Sequence, residues 1–542
     1  MVETENNLER VLLSSADEMR KTMSAGNYMD YALGLIFYKH LSDKTLQVVA
    51  ATLVDNGEIE EDEVATINQR QALYEQYYAD EDVRDDLLSS MDMDYTIKPN
   101  ATFTAFVNQI NVGKFQLEDL DQAFRDVEQS NAKLLGHLFD DVDLHSTKLG
   151  PTPQKQNEMI AAVMKALSPL NLDSTNGDVL GDAYEYLIAN FASDTGTKAG
   201  EFYTPQSVSI LLSRITTSNK QDKKGFSVYD PAMGSGSLLL HARDYIKDVD
   251  SINYYGQEIN NSTYNLARMN MIIHNVSSTN QHLRNADTLD ADWPNDEVTD
   301  FDAVVMNPPY SLHWSADKSF LDDPRFSDYG VLPPKSKADY AFLLHGLYHL
   351  KDNGTMGIVL PHGVLFRGGA EGKIRRKLLE SGMIDTIIGL PAGIFYSTGI
   401  PTIIMVLKKN RKGRDVFFID GSKEFTKGKN QNILEAENIE RIFNSYLNRK
   451  DEEKFSHLAT FDEIKENEFN LNIPRYVDTF EPEPEVDLGE LTNEMKQTNE
   501  EIAKNEKELV EMLEDLTTDD KKIANDLNGF IDLMKQWGAG HD

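Results

Sequence analysis

No cysteine occurs among the 542 residues. That excludes disulfides, Cys-ligated zinc, iron–sulfur clusters and a thiolate nucleophile. Basic charge is scarce: 53 Lys and Arg stand against 90 Asp and Glu, a net charge of −37. Such a surface repels a phosphate backbone, so work on nucleic acid requires a local basic groove or a basic partner. No apolar run approaches membrane-spanning length, and the polar start Met1-Val2-Glu3-Thr4-Glu5 is unlike a secretory signal. A cytoplasmic protein without membrane contact is expected. No Gly-x-x-x-x-Gly-Lys-Ser/Thr loop is present, hence no ATPase motor, and no metal-ligand set or long repeat stands out. What is there is ordinary: 40% hydrophobic and 26% charged residues, enough apolar material for a core.

The chain changes texture along its length. Residues 1–167 read as an α-helical N-terminal domain, with apolar residues three and four apart in Leu33, Leu35, Ile36, Phe37 and Leu41. Residues 1–150 hold 29 acidic and 12 basic side chains and no catalytic constellation. Residues 168–480 alternate β-rich runs with helix-length segments. The runs are Phe226–Tyr229, Ile252–Gly256, Phe301–Met306, Thr355–Leu360, Ile384–Gly389 and Thr402–Leu407. This is the pattern of an α/β fold with a mostly parallel, doubly wound sheet. After a Glu–Pro linker, residues 481–542 carry an apolar residue every seventh position from Leu488 to Trp537. Thr517-Thr518-Asp519-Asp520 breaks that run and offers an N-cap, so two helices are expected. Their seam either packs in cis or docks a partner.

Three segments carry chemistry. In Asp230-Pro-Ala-Met-Gly234-Ser235-Gly236-Ser237, a strand enters a glycine turn and then a helix. The backbone can approach a ligand closely there, although a tight strand–helix turn would look the same. Asp230 closes the strand, where a carboxylate can take an ammonium group. Glu258 follows the next strand, where an acid can hold ribose hydroxyls. A ligand with an amino-acid end and a ribose but no pyrophosphate suits both, and S-adenosylmethionine is one. The third segment is Asn307-Pro308-Pro309-Tyr310 at the end of a buried strand. Its prolines stiffen the exit and keep Asn307 extended. The Asn307 amide oxygen and the Pro308 carbonyl can then accept both hydrogens of one exocyclic amine, with the Tyr310 ring face beside the base. His274 and His282 read as packed or surface residues rather than catalytic ones.

Asp230–Gly236 and Asn307–Tyr310 resemble the cofactor and catalytic motifs of amino-group DNA methyltransferases. Gly200-Glu201-Phe202-Tyr203-Thr204-Pro205-Gln206 resembles the segment that closes over the methionine end of the cofactor. Gly181–Ala192 and the helical stretch Asn27–Tyr38 are similar to the modification subunit of type I restriction–modification systems. The resemblance extends to about Tyr476. It implies a helical N-terminal domain, a Rossmann-like seven-stranded S-adenosylmethionine-dependent core and a helical C-terminal tail. It implies that Glu201 to Gln206, Ser235 to Ser237 and Glu258 contact S-adenosylmethionine, and that Asp287 meets its adenine. Asn307, Pro308 and Tyr310 would hold the target adenine.

The acid excess fits a chain that leaves DNA reading to others. Only Arg367 to Lys377 and Lys408 to Arg414 are locally basic. The first cluster is either a phosphate contact or a solvated helix face. The resemblance implies two modification subunits on one specificity subunit, with a nuclease and translocase subunit joining for restriction of double-stranded DNA. A C5-cytosine enzyme is excluded for want of a cysteine. A cytosine-N4 enzyme uses the same clamp, usually with Ser at position 307. A protein glutamine methyltransferase also carries Asn-Pro-Pro-Tyr, but is much shorter and lacks residues 201–206 and the helical domain.

Overall fold

The computed structural model describes residues 23, 25–91, 93–170, 181, 184–189, 203–290, 299–395, 399–428, 431–479 and 487–538. The chain forms two compact units, Met1–Thr479 and Phe480–Asp542.

In the first unit, helix Ala25–Asp55 buries Tyr31 through Tyr38 almost without interruption. A helix apolar all round has no solvent face to keep, and it becomes the axis of the helical region. Phe103–Asn111, Leu117–Ser130 and Pro153–Leu167 pack about it. Their aromatics interlock, with Phe124 and Phe139 stacked at 4.2 Å. This core does not stop at residue 167. Leu266, Met269, Ile272 and Ile273, from helix Asn261–Ile273, belong to the same cluster. Arg268 clasps the junction by donating to the carbonyls of Gly136 (3.0 Å) and Leu134 (2.7 Å).

The sheet comprises β1 (Ser227–Asp230), β2 (Asn253–Glu258), β3 (Gln281–Asn285), β4 (Phe301–Met306), β5 (Leu350–Pro361), β6 (Ile384–Gly389), β7 (Thr402–Leu407) and β8 (Val416–Asp420). A small ribbon, β9 (Thr426–Lys427) and β10 (Asn432–Ile433), stands apart, and β11 (Ser456–Ala459) returns to the main sheet. The order is β11-β8-β6-β7-β5-β4-β1-β2-β3. β7 is antiparallel to β5 and β6, and β11 to β8; the other pairs are parallel. The six runs expected as strands all lie in this sheet, which has nine strands against the seven that the resemblance implies. Every residue of β6 is buried, so its outer edge needs a cover. β8 pairs with that edge and β11 pairs with β8, bringing the region after Leu407 into the sheet.

From β1 the chain proceeds outward on one side through β2 and β3, and on the other through β4 and β5. Between β1 and β4 the winding reverses, and a crevice opens at the strands' carboxyl ends. Asp230 and Asn307 stand at those two ends.

In the second unit, helices Leu488–Glu514 and Lys521–Gly538 pack on each other. Asp520 accepts from the N–H groups of Lys522 (2.8 Å) and Ile523 (3.3 Å), so the expected break and cap are present. Pairing leaves much apolar surface exposed: Met495 at 60%, Met512 at 69% and Leu533 at 57%.

Candidate active site

Pro231 cannot extend β1, and the Asp230 carboxylate accepts from the Ala232 N–H at 2.9 Å, turning the chain. Gly234 and Gly236 take positive φ angles of 55° and 79°, a backbone that other residues adopt at a cost. The turn is tied to β2 by the Met233 N–H on the Gln257 carbonyl at 2.9 Å. It is tied again by the Gly234 N–H on the Glu258 carboxylate at 3.2 Å. At Gly256 an added Cβ would lie 2.3 Å from the Met233 sulfur, so a side chain there would push the loop out.

Two acids meet beside this turn. Asp230 is buried, and burial pushes its pKa well up; the Ala232 N–H offsets this in part, and nearby Glu258 adds to it. Burial also raises Glu258, against hydrogen bonds from the Asn260, Gly234 and Ile259 N–H groups. Among the described residues no cation contributes to either shift. Buried carboxylates supported only by amide dipoles favour a positively charged ligand.

Across the crevice, Asn307 follows β4. Its amide nitrogen donates to the Thr204 hydroxyl at 3.2 Å, and its amide oxygen accepts from the Tyr310 hydroxyl at 2.7 Å. Both ends of the amide are thus engaged by hydroxyls. Burial raises the Tyr310 pKa, so its hydroxyl stays a donor. Phe395 meets the Tyr310 ring edge-on at 6.3 Å.

The crevice is lined by Tyr203, Thr204, Asp230, Gly234, Ser235, Ser237 and Asn307 among the expected residues. Ala232, Met233 and Leu238 complete it and carried no signal in the sequence beyond their neighbours. Glu258 adjoins through Gly234. Gly236 lies within the turn, Pro308 is buried, and Pro309 is partly covered. Pro205 caps helix Gln206–Thr217, and Gln206 is exposed. Asp287 is exposed and accepts from the Leu289 N–H at 2.9 Å. Its loop is anchored by the Thr288 hydroxyl on the Pro231 carbonyl at 2.6 Å, a contact that sequence reading missed. Glu201 and Phe202 lie outside the described residues. His274 is buried with Nδ1 on the Asn270 carbonyl, and His282 stacks on Tyr255 at 4.3 Å; neither lines the crevice.

The first basic cluster is mostly internal scaffolding. Arg367 pairs with Asp339 (3.0 Å) and Glu371 (2.9 Å). Arg375 is 4% exposed and donates to the carbonyls of Phe469, Val364 and Arg367. Of the charges assigned to a possible phosphate contact, only Lys373, Arg376 and Lys377 face outward.

Residues 175–485 match the family model for N-6 DNA methylases, and residues 8–167 match the HsdM N-terminal domain. The chain is 36% identical to a type I restriction enzyme methylase subunit of Mycoplasma pneumoniae, with 97% of each covered. It is 30% identical to one of Methanocaldococcus jannaschii, over 94% of this chain and 83% of the relative. A crystal structure of a type I restriction–modification methyltransferase subunit from Streptococcus thermophilus superposes with a TM-score of 0.84 at 58% identity. It covers 88% of this chain and all of that one.

Proposed function

Because this chain belongs to the N-6 DNA methylases, as the methylase subunit of a type I restriction–modification system that methylates adenine N6 in DNA, we propose that Asn307, Pro308 and Tyr310 hold the target adenine. In the same reading the turn from Asp230 to Ser237, with Glu258, holds S-adenosylmethionine, the methyl donor of such enzymes. The observation that carries this is one crevice lined both by the hydrogen-bonded Asn307 amide and by Asp230, a buried acid with no cationic partner among the described residues, beside the turn that Glu258 braces.

The residues fit the donor. Asp230 and Glu258 accept its positive charge and its hydroxyls, and the glycine turn leaves room for close backbone contact. When bound, S-adenosylmethionine supplies a methyl group from its sulfonium. The rest is done by this chain. Thr204 keeps the Asn307 oxygen turned to the Tyr310 side. The Tyr310 hydroxyl yields that acceptor when an adenine amine arrives, and its ring flanks the base. Asn307 and Pro308 then accept both N–H hydrogens, leaving the nitrogen lone pair free to attack in line. The base must leave the duplex first, at a cost of a few kcal/mol.

The acidic chain relies on a specificity subunit to choose the DNA sequence, two copies of this chain serving one such subunit. A nuclease and translocase subunit joins for restriction. The exposed apolar seam of residues 488–538 supports a docking role for the tail. Deleting residues 488–542 should abolish co-purification with the specificity subunit and leave S-adenosylmethionine binding intact; co-purification of the truncated chain would refute docking.

Asn307→Ala tests the clamp. Its acceptor strengthens as the attacked nitrogen becomes tetrahedral, so methylation should fall about a hundredfold or more. Donor affinity should stay within a factor of about two. Near-normal turnover would sink the assignment.

A further inference from the structure

The second basic cluster lies far from the crevice. β7 runs antiparallel to β5, so Lys408 sits where β4 and β5 begin. That edge is opposite Asn307, a strand length of roughly 20 Å away. A cavity of about 360 Å³ opens there, lined by Lys220, Lys408 and Arg411 with the amide side chains of Asn219, Asn353 and Asn410. Methyl transfer leaves it without a role.

We propose that this cavity binds a phosphate group. Two ammonium groups and three amide-bearing residues border a concavity near the lower end of small-ligand pocket sizes, with Asp352 at its rim and Arg411 behind it held by Asp385 and main-chain carbonyls. Charged N–H donors and phosphate oxygens make the stronger class of hydrogen bond. The local charge balance also points to an anion. Lys220, Lys223, Lys351, Lys408, Arg411 and Arg449 stand against Asp302, Asp352, Asp385 and Asp415, and further out Lys409 is offset by Asp300. The cluster therefore carries an excess of about two positive charges in a chain of net −37.

Two of the cations keep N–H donors that the fold leaves over. The Lys220 ammonium donates to the main-chain carbonyl of Asp302 at 2.6 Å, leaving donors over. Asp385 has Arg411 and Arg449, each at 3.0 Å, and the Lys408 ammonium reaches it at 3.4 Å, 5.3 Å from the centre of the Tyr446 ring. Burial brings the Lys220 pKa down to about 8 despite Asp302, and Lys223, Lys351 and Lys408 press it further the same way. A bound phosphate would relieve that crowding.

Titration calorimetry of the full chain with inorganic phosphate and pyrophosphate, at low ionic strength, tests this. One saturable site is expected, with affinity about tenfold weaker in Lys408→Gln and again in Lys220→Gln. S-adenosylmethionine binding should be unchanged in both variants, which separates loss of the site from loss of the fold. Displacement of pyrophosphate by a DNA duplex would identify the backbone as the source of the phosphate. Its retention would identify a small molecule. Absence of saturable binding, or equal affinity in all three proteins, overturns the proposal.

Discussion

The two edges of the sheet treat the same problem, a buried carboxylate, in opposite ways. At the carboxyl edge, Asp230 and Glu258 are raised by burial and supported only by amide N–H groups. At the other edge, burial would likewise raise Asp302. Hydrogen bonds from Lys223 and Lys351, with the Ser227 N–H, hold it below the usual range instead. Burial would also raise Asp385, and Lys408, Arg449 and Arg411 bring it down. A carboxylate that completes the fold brings its own cations. At Asp230 and Glu258 no such cation is supplied among the described residues, which is what the proposed binding of a positively charged ligand there requires. The contrast separates acids with cationic partners from acids held by amides alone, without reference to any motif.

The largest expected effect breaks the structural side. Asp385→Ala strands Arg411 and Arg449, and should cost about 3–5 kcal/mol in denaturant unfolding. Donor affinity of the folded fraction should be unchanged. Loss below about 1 kcal/mol would mean that the cations find water instead. Glu258→Gln probes the other side: donor binding should weaken by about 1.5–3 kcal/mol. Apo stability should hold or rise, and a clear fall in stability would put Glu258 among the structural acids.

The smallest effect is a slope with pH. A raised folded pKa gives stability that is present below the unfolded value and lost as pH rises through the folded one. Wild type should therefore lose stability relative to Asp230→Asn from about pH 4 upward. Asp302 and Asp385, with depressed values, contribute in the opposite sense, losing their stabilisation only as pH falls. Thermal melts from pH 4 to pH 8 check the slope, and a flat difference between the two proteins would show Asp230 to be compensated.

Strands of six residues, mostly apolar and buried throughout, were readable one by one: Phe301–Met306, Ile384–Gly389 and Thr402–Leu407 keep the expected bounds. The glycine turn, the proline-stiffened Asn307 exit and the capped break at Asp520 were readable too. Each depends on φ preferences, missing N–H donors or a side chain reaching two or three residues along. Such short-range physics is written in the order of residues. The family resemblance rests on the same local segments.

Other features depend on neighbours brought from far along the chain. Arg375 looked like a surface charge until Phe469, 94 residues away, supplied its carbonyl. Lys223 and Lys351 meet at Asp302, 79 and 49 residues distant. The ninth strand and the shared core of the helical region with helix Asn261–Ile273 are of the same kind. The amino-acid order by itself determined the elements, the glycine turn and the proline-stiffened exit at Asn307, because local sterics and hydrogen bonding suffice for those. Only the tertiary structure decided which cations are scaffolding and which acids stay unpaired. The energy of a buried charge is set by what surrounds it in space, and periodicity along the chain holds no record of that.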